Sequence, residues 1–189
     1  MMSELETLIQ SKLQLENDEL NTILSCFKLI QVKKNEQLLQ SGTVADKIYF
    51  IKKGCLRLYY STEDHNITTR FMAFEGTFLT SIVSFISREP SSEYIEAVEN
   101  SDLFAISYED FFRLRNTIPQ WDKMYIYILE YGLTVITSKL SSLLTQNAAE
   151  RYRNLLKNNP ELIQRLSNAN LASYLNISPE TLSRIKSQI

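Results

Sequence analysis

The stretch Leu171-Ala-Ser-Tyr-Leu-Asn-Ile-Ser-Pro-Glu-Thr-Leu-Ser-Arg-Ile-Lys-Ser-Gln-Ile189 admits few folds. Leu171, Ala172 and Leu175 fall at i, i+1 and i+4, one apolar face of a helix, and Asn176 tolerates the left-handed backbone with which helices end. Ile177 is an apolar turn residue, Ser178 suits the cap of a second helix, and Pro179 suits its first position, where no amide donor is needed. Leu182 and Ile185, three apart, form the inward side of that second helix, and Glu180, Thr181, Ser183, Arg184 and Ser187 point away. Such a pair of helices, with hydrogen-bonding groups near the exposed start of the second, has the layout of a helix-turn-helix.

Glu180 and Arg184 lie one turn apart on the outward face. At that spacing a carboxylate can accept from cytosine N4 while a guanidinium forks onto guanine O6 and N7. In isolation the pair would read as a solvated surface ion pair, and it is the turn chemistry around it that favours a DNA groove. The candidate DNA-contacting residues are Ser178, Glu180, Thr181, Ser183, Arg184 and Lys186. The net charge of −2 is unpromising for double-stranded DNA until the chain is divided. From Asn147 onward there are six Lys and Arg against three Asp and Glu, which leaves 14 against 19 before it. A tail of this modest charge binds phosphates weakly alone, and two copies side by side bind better, because each neutralised phosphate releases counterions.

A second copy is implied upstream. After a short helix predicted at Tyr108 to Arg115, Pro119 opens a long helical stretch in which Ile126, Leu129, Leu133, Ile136, Leu140 and Leu143 alternate in steps of three and four. These fill six successive a and d positions. Tyr125, Ile128, Tyr131 and Val135 form another stripe, so one face is expected to meet the rest of the chain and the other a homodimer partner. A single long core helix is the alternative. Asn147-Ala-Ala-Glu150 then approaches a capping box, which starts a new helix and makes Asn147 the expected hinge. Arg151 to Lys157 continues that helix, Asn158-Asn-Pro160 breaks it, and Glu161 to Leu166 leads into the helix-turn-helix.

Towards the N-terminus, Leu5, Leu8, Ile9, Leu13, Leu20, Ile23 and Leu24 are spaced for short amphipathic helices. From Phe27 to Ser107 the pattern shortens to strands at Leu29 to Val32, Lys47 to Ile51, Leu56 to Tyr60, Thr68 to Phe74, Tyr94 to Val98 and Leu103 to Ile106, with Gly42, Gly54 and Gly76 marking turns. Thr62-Glu-Asp-His-Asn66 reads as a hairpin tip. Closely spaced strands of this kind, with every residue to Ser107 fitting the pattern, imply a sandwich or jelly-roll barrel.

A chain of 189 residues with 44% apolar content can bury a core. No apolar run is long enough for a bilayer, and the acidic start Met1-Met2-Ser-Glu-Leu-Glu is unlike a signal peptide, so no membrane and a cytoplasmic location are expected. Cys26 and Cys55 stand in no metal-ligand spacing and are expected to be buried, reduced thiols. His65, the one histidine, reads as a solvated turn residue, and no metal site is expected. A cupin-like enzyme needs two or more histidines with a carboxylate. There is no nucleophile elbow, Gly-rich phosphate loop or secure Ser-His-Asp set either, so no catalytic residue is assigned.

The order barrel, long helix, terminal helix-turn-helix resembles the Crp/Fnr family of bacterial transcription regulators. Gly76-Thr-Phe78, Ala105-Ile-Ser-Tyr108, Phe111, Leu114, Pro119, Arg151 and Ile177-Ser-Pro-Glu-Thr-Leu-Ser-Arg-Ile185 line up with the family pattern over nearly the whole chain. The resemblance implies an α+β chain: a jelly-roll barrel of the double-stranded β-helix type with N-terminal helices over residues 1–118, a dimerisation helix over 119–146 and an all-α helix-turn-helix domain over 147–189. It implies a homodimeric transcriptional regulator that binds double-stranded DNA sequence-specifically, with RNA polymerase as a further partner.

In cyclic-AMP-binding members a Gly-Glu pair and, ten residues past the Glu, an Arg-Ser pair hold the ribose and cyclic phosphate. Those positions here read Thr80-Ser81 and Ser91-Ser92. A phosphodiester in a barrel needs a cationic fork or a nest of donors, and Ser91 cannot replace a guanidinium. Arg88 falls in the predicted loop Ser87-Arg-Glu-Pro90, where a solvated ion pair with Glu89 is expected. The pocket of Thr80, Ser81, Ser91 and Ser92 is therefore expected to be degenerate and not to bind cyclic AMP, with the effector unknown and no cofactor identified. Iron-sulfur members need four thiolates and haem members an axial His or Cys, and two thiols with a hairpin His65 match neither. The family's recognition helix commonly carries Arg-Glu-x-x-x-Arg, whereas Pro179-Glu180-Thr-Leu-Ser-Arg184 lacks the first arginine, which implies a different operator. The wing hairpin of many members has no counterpart before Ile189, so backbone contacts fall to Ser178, Thr181, Lys186 and the preceding helices. Two half-sites about 34 Å apart are expected, with Thr80, Ser81, Ser91 and Ser92 biasing the long helix between them. The alternative is a ligand-sensing or protein-interaction module whose helix-turn-helix is degenerate.

Overall fold

Two short helices open the chain, α1 (Ser3–Lys12) and α2 (Asn17–Ser25), and bury Leu5, Ile9, Leu20 and Ile23. Glu16 and Glu19 close a capping box at the start of α2, satisfying amides that would otherwise lack partners. The computed structural model describes residues 3–62 and 67–188; the hairpin tip with His65 lies outside them. Contacts divide the chain into two units, Met1–Leu58 with Met72–Gly132, and Tyr59–Phe71 with Leu133–Ile189.

Among the described residues eight strands follow: β1 (Lys28–Val32), β2 (Gln37–Leu39), β3 (Lys47–Lys53), β4 (Leu56–Ser61), β5 (Ile67–Ala73), β6 (Phe78–Leu79), β7 (Tyr94–Ala97) and β8 (Ser101–Ser107). They form two four-stranded sheets, ordered β1-β8-β3-β6 and β2-β7-β4-β5, a jelly-roll arrangement. In the first sheet β8 is central: Phe104 pairs with Leu29 on one side and with Phe50 on the other, both antiparallel. Ile48, Phe50, Ile51, Leu56, Leu58, Leu103 and Ile106 are buried in the core. Gly54, at φ +105°, turns β3 into β4, and a Cβ there would come within 2.1 Å of the Ser101 Oγ, so no other residue fits without displacing β8.

The strand pattern expected as far as Ser107 is interrupted by a helix, α3 (Ile82–Ser87). Tertiary contacts outweigh its β-branched composition: Phe85 is buried against Tyr108 and Phe111, while the Ser84 hydroxyl accepts from the Ala45 amide at 2.9 Å and donates to the Glu89 carbonyl at 2.6 Å. Helix α3 ends at Arg88, in the left-handed conformation at φ 61°. The expected Arg88–Glu89 ion pair is not formed. That backbone turn sends the guanidinium to the Ala45 carbonyl at 2.8 Å and Asp46 at 3.1 Å, across the Tyr108 ring. The strands β2 and β6, three and two residues long, carry too little periodicity to have been read.

Ser107 caps α4 (Tyr108–Thr117), accepting from the Asp110 amide. Helix α5 (Trp121–Thr145) begins with a fully buried Trp121, whose Nε1 donates to the Phe111 carbonyl at 3.1 Å, and buries Met124 and Ile128 below it. Cys26 and Cys55 are both buried and form no disulfide.

In the second unit, α6 (Ala148–Asn158) starts at a complete capping box between Asn147 and Glu150, with bonds of 3.0 and 2.8 Å. Then come α7 (Pro160–Arg165), α8 (Asn168–Leu175) and α9 (Pro179–Ser187), around a small core of Tyr152, Leu166, Leu171, Ala172, Leu175, Leu182 and Ile185. The Ser173 hydroxyl fastens α8 to β5, donating to the Ile67 carbonyl and accepting from the Thr69 amide, each at 2.9 Å.

Candidate nucleic-acid interface

Local chemistry sets the two helices of the interface. Ser167 caps α8 and Asn176 ends it in the left-handed conformation at φ 54°, ψ 50°. The Ile177 amide returns to the Ala172 carbonyl at 3.1 Å, which tightens the turn. Ser178 caps α9, accepting from the Thr181 amide at 3.2 Å, and Pro179 takes the first helical position. Leu182 and Ile185 are buried with Leu171, Ala172 and Leu175, and Ser178, Glu180, Ser183 and Arg184 are exposed.

Thr181 is half-buried and its hydroxyl accepts from Arg184 Nη2 at 3.2 Å. The Ser178 hydroxyl, the amide of Glu180 itself and the charge of Arg184 hold the Glu180 carboxyl below its ordinary value, so it stays an acceptor at neutral pH. Lys186 reaches back to Asn168 Oδ1 at 2.6 Å, which places its ammonium beside the start of α8. The exposed start of α9 thus combines a carboxylate, a guanidinium and hydroxyls at a helix N-terminus capped by Ser178, groups suited to base edges and phosphate oxygens.

On α5, Ile126, Leu133 and Leu140 are 51%, 67% and 54% exposed, while Leu129, Ile136 and Leu143, one heptad apart in turn, are half-buried. The second stripe runs deeper: Ile128 is buried, and Tyr125, Tyr131 and Val135 are half-buried.

Residues 29–117 match the model of the cyclic nucleotide-binding domain family. The fumarate and nitrate reduction regulatory protein of Vibrio cholerae is 25% identical over 185 residues, covering 90% of this chain and 71% of its own length. Electron transport regulator A of Shewanella oneidensis is 23% identical over the same shares. Among solved structures, the c-di-GMP-responsive global regulator CLP of Xanthomonas campestris superposes with a TM-score of 0.74 at 20% identity, covering 92% of this chain and 91% of that one. The chain thus carries a cyclic nucleotide-binding domain match over residues 29–117 and is similar along most of its length to regulators of the Crp/Fnr type.

The chain departs from a cyclic-nucleotide site at the positions that would hold the phosphate. Ser81, Ser91 and Thr80 are buried, and Ser92 is exposed. Ser81 Oγ lies 3.0 Å from Ser91 Oγ and donates to Glu93 Oε2 at 2.5 Å, with Glu93 5% exposed; the Thr80 hydroxyl donates to the Lys47 carbonyl. The two serines therefore face a buried carboxyl, and a cyclic phosphate placed there would meet an acceptor where it needs donors. Arg88 is committed to Ala45 and Asp46, and Arg57 pairs with Glu96 at 3.1 Å. These residues do not fit a cyclic nucleotide phosphate.

Glu93 was not singled out in the sequence, although it lies one residue beyond Ser92. Lys139 was missed as well, for it reads as a polar break in the α5 stripe.

Proposed function

We propose that this chain is a Crp/Fnr-type regulator that binds operator DNA as a homodimer, with α9 of each copy in a major groove and half-sites about 34 Å apart. The observation that carries the reading is the sidedness of α9, which buries Leu182 and Ile185 and leaves Glu180, Ser183 and Arg184 outward at a capped N-terminus. Arg184 and Glu180 then read base edges; Ser178, Thr181 and Lys186 position the helix on phosphates. Pairing of α5 through Ile126, Leu129, Leu133, Ile136, Leu140 and Leu143 supplies the two-fold axis, which the exposure of Ile126, Leu133 and Leu140 favours. Asn147, at the junction of α5 and α6, is the proposed hinge.

The Ser81–Ser91–Glu93 cluster argues that the barrel does not answer to cyclic AMP. RNA polymerase is the proposed further partner at promoters. A cytoplasmic location accords with the described residues, in which no helix is long and apolar enough to cross a membrane. Gel-shift titration of the full chain on its own promoter region tests the reading: specific retardation that weakens steeply with salt supports it, and sequence-blind, salt-insensitive binding contradicts it.

A further inference from the structure

Within the second unit, α5, α6 and α8 line a half-open pocket of about 350 Å3. Two cationic side chains reach its wall, Lys139 from α5 and Arg151 from α6, joined by the carboxamides of Asn154 and Asn158. No aspartate or glutamate lines it among the described residues. The rest of the wall is largely aliphatic, including Val135 and Leu155. Space of this size suits a small organic molecule rather than water alone.

The two cations are fixed but not spent. The Lys139 ammonium donates to the Thr69 carbonyl and sits 4.8 Å from the centre of the Tyr174 ring. Arg151 donates through Nε and Nη2 to the Leu175 carbonyl and through Nη1 to that of Gln146. An ammonium has three N–H groups and a guanidinium five, so both retain donors beyond these bonds. Backbone carbonyls hold them without neutralising them. Burial, with repulsion from Arg70 and Arg151 added, lowers Lys139 to about 8. Like charges gathered beside a cavity with no acidic wall are what a bound anion would relieve.

We propose that this cavity is a binding site for a small organic anion, a carboxylate or phosphate monoester whose charged end meets Lys139 and Arg151 and whose apolar body lies along Val135 and Leu155. Its position gives the site regulatory reach. It is walled by α5, which carries the heptad stripe, by α6, which starts after Asn147, and by α8, which precedes the turn to α9. A ligand there would hold α5, α6 and α8 in one arrangement. The site is separate from the Ser81–Ser91 cluster, and the binding step does not depend on DNA recognition.

The test is isothermal titration calorimetry of the full-length protein, without DNA, using phenyl phosphate and benzoate as anions and benzyl alcohol as the neutral molecule of like body. At least one anion is expected to bind in preference to benzyl alcohol. Lys139→Gln is expected to weaken it by roughly tenfold or more, the order of one charge-assisted hydrogen bond. Ser138→Phe, which blocks the cavity and leaves both cations in place, is expected to abolish it. Thermal melting checks each variant for folding, and if Lys139→Gln does not fold, Ser138→Phe decides. Absence of binding, equal binding of benzyl alcohol, or affinity unchanged in the folded variants overturns the proposal. Because no DNA is present, these outcomes are independent of whether α9 reads an operator.

Discussion

The guanidinium of Arg151 closes on a single carbonyl oxygen, that of Leu175, with Nε at 3.2 Å and Nη2 at 3.1 Å. Leu175 is the last residue of α8, where a carbonyl has no partner within its own helix. Arg151 thus ties the end of α8 to α6, and through Nη1 to Gln146 just beyond the end of α5. Arg151→Lys should lower the stability of the second unit by about 1–2 kcal/mol, since an ammonium cannot span both carbonyls. Chemical denaturation followed by circular dichroism measures it; an unchanged midpoint contradicts the role.

Leu133 and Leu140 are a heptad apart and more than half exposed in one chain. The double variant Leu133→Glu, Leu140→Glu should be a folded monomer at concentrations where the parent is a dimer, because like charges would face each other across the seam. Sedimentation equilibrium reads the outcome. A dimer that persists would place the contact elsewhere.

Lys139 carries a pH signature with a definite sign. Its folded-state value is about 8 against an ordinary 10.5, so the folded state penalises the charged form. That penalty is fully present below about pH 8 and is lifted as pH rises from 8 towards 10.5, where the unfolded chain binds more protons than the folded one. The stability of Lys139→Met relative to the parent should therefore be greater at pH 7 than at pH 10, by on the order of 1 kcal/mol after allowing for solvent screening. Urea unfolding at the two pH values measures the difference; groups common to both proteins cancel.

The buried carboxyl of Glu93 against Ser81 and Ser91 predicts that cyclic AMP leaves the melting temperature unchanged, since a ligand that binds only the folded state must raise it. A rise of several degrees at millimolar nucleotide would show that the cluster opens to admit a phosphate.

What was legible in the sequence was local. Asn147, Ser178 and Asn176 announce helix ends because capping and left-handed turns depend on a few neighbouring residues, and the structure has these ends where the spacing put them. Of the strands described, β1, β3, β4, β5, β7 and β8 followed from period and turn residues, and the short β2 and β6 did not. Helix α3 did not, because Ile82, Val83 and Ile86 are β-branched and the contacts that make a helix of them come from Ala45, Tyr108 and Phe111. Arg88 was assigned to its chain neighbour Glu89, whereas the partner it finds, Asp46, lies 42 positions away. Lys139 is the same lesson in the second unit: its carbonyl partner is Thr69, 70 positions distant, and nothing in the periodicity of α5 points there. Partnerships of this range are set by topology, which spacing does not encode.

The account rests on α9 reading base edges, and Arg184 tests it most directly. Fluorescence anisotropy with a promoter duplex and a scrambled duplex, over a salt series, should show Arg184→Ala losing about 1–3 kcal/mol of affinity for the promoter while its weaker binding to the scrambled sequence changes little. Equal affinity of parent and variant for the promoter, or no preference for the promoter in the parent protein, would contradict it.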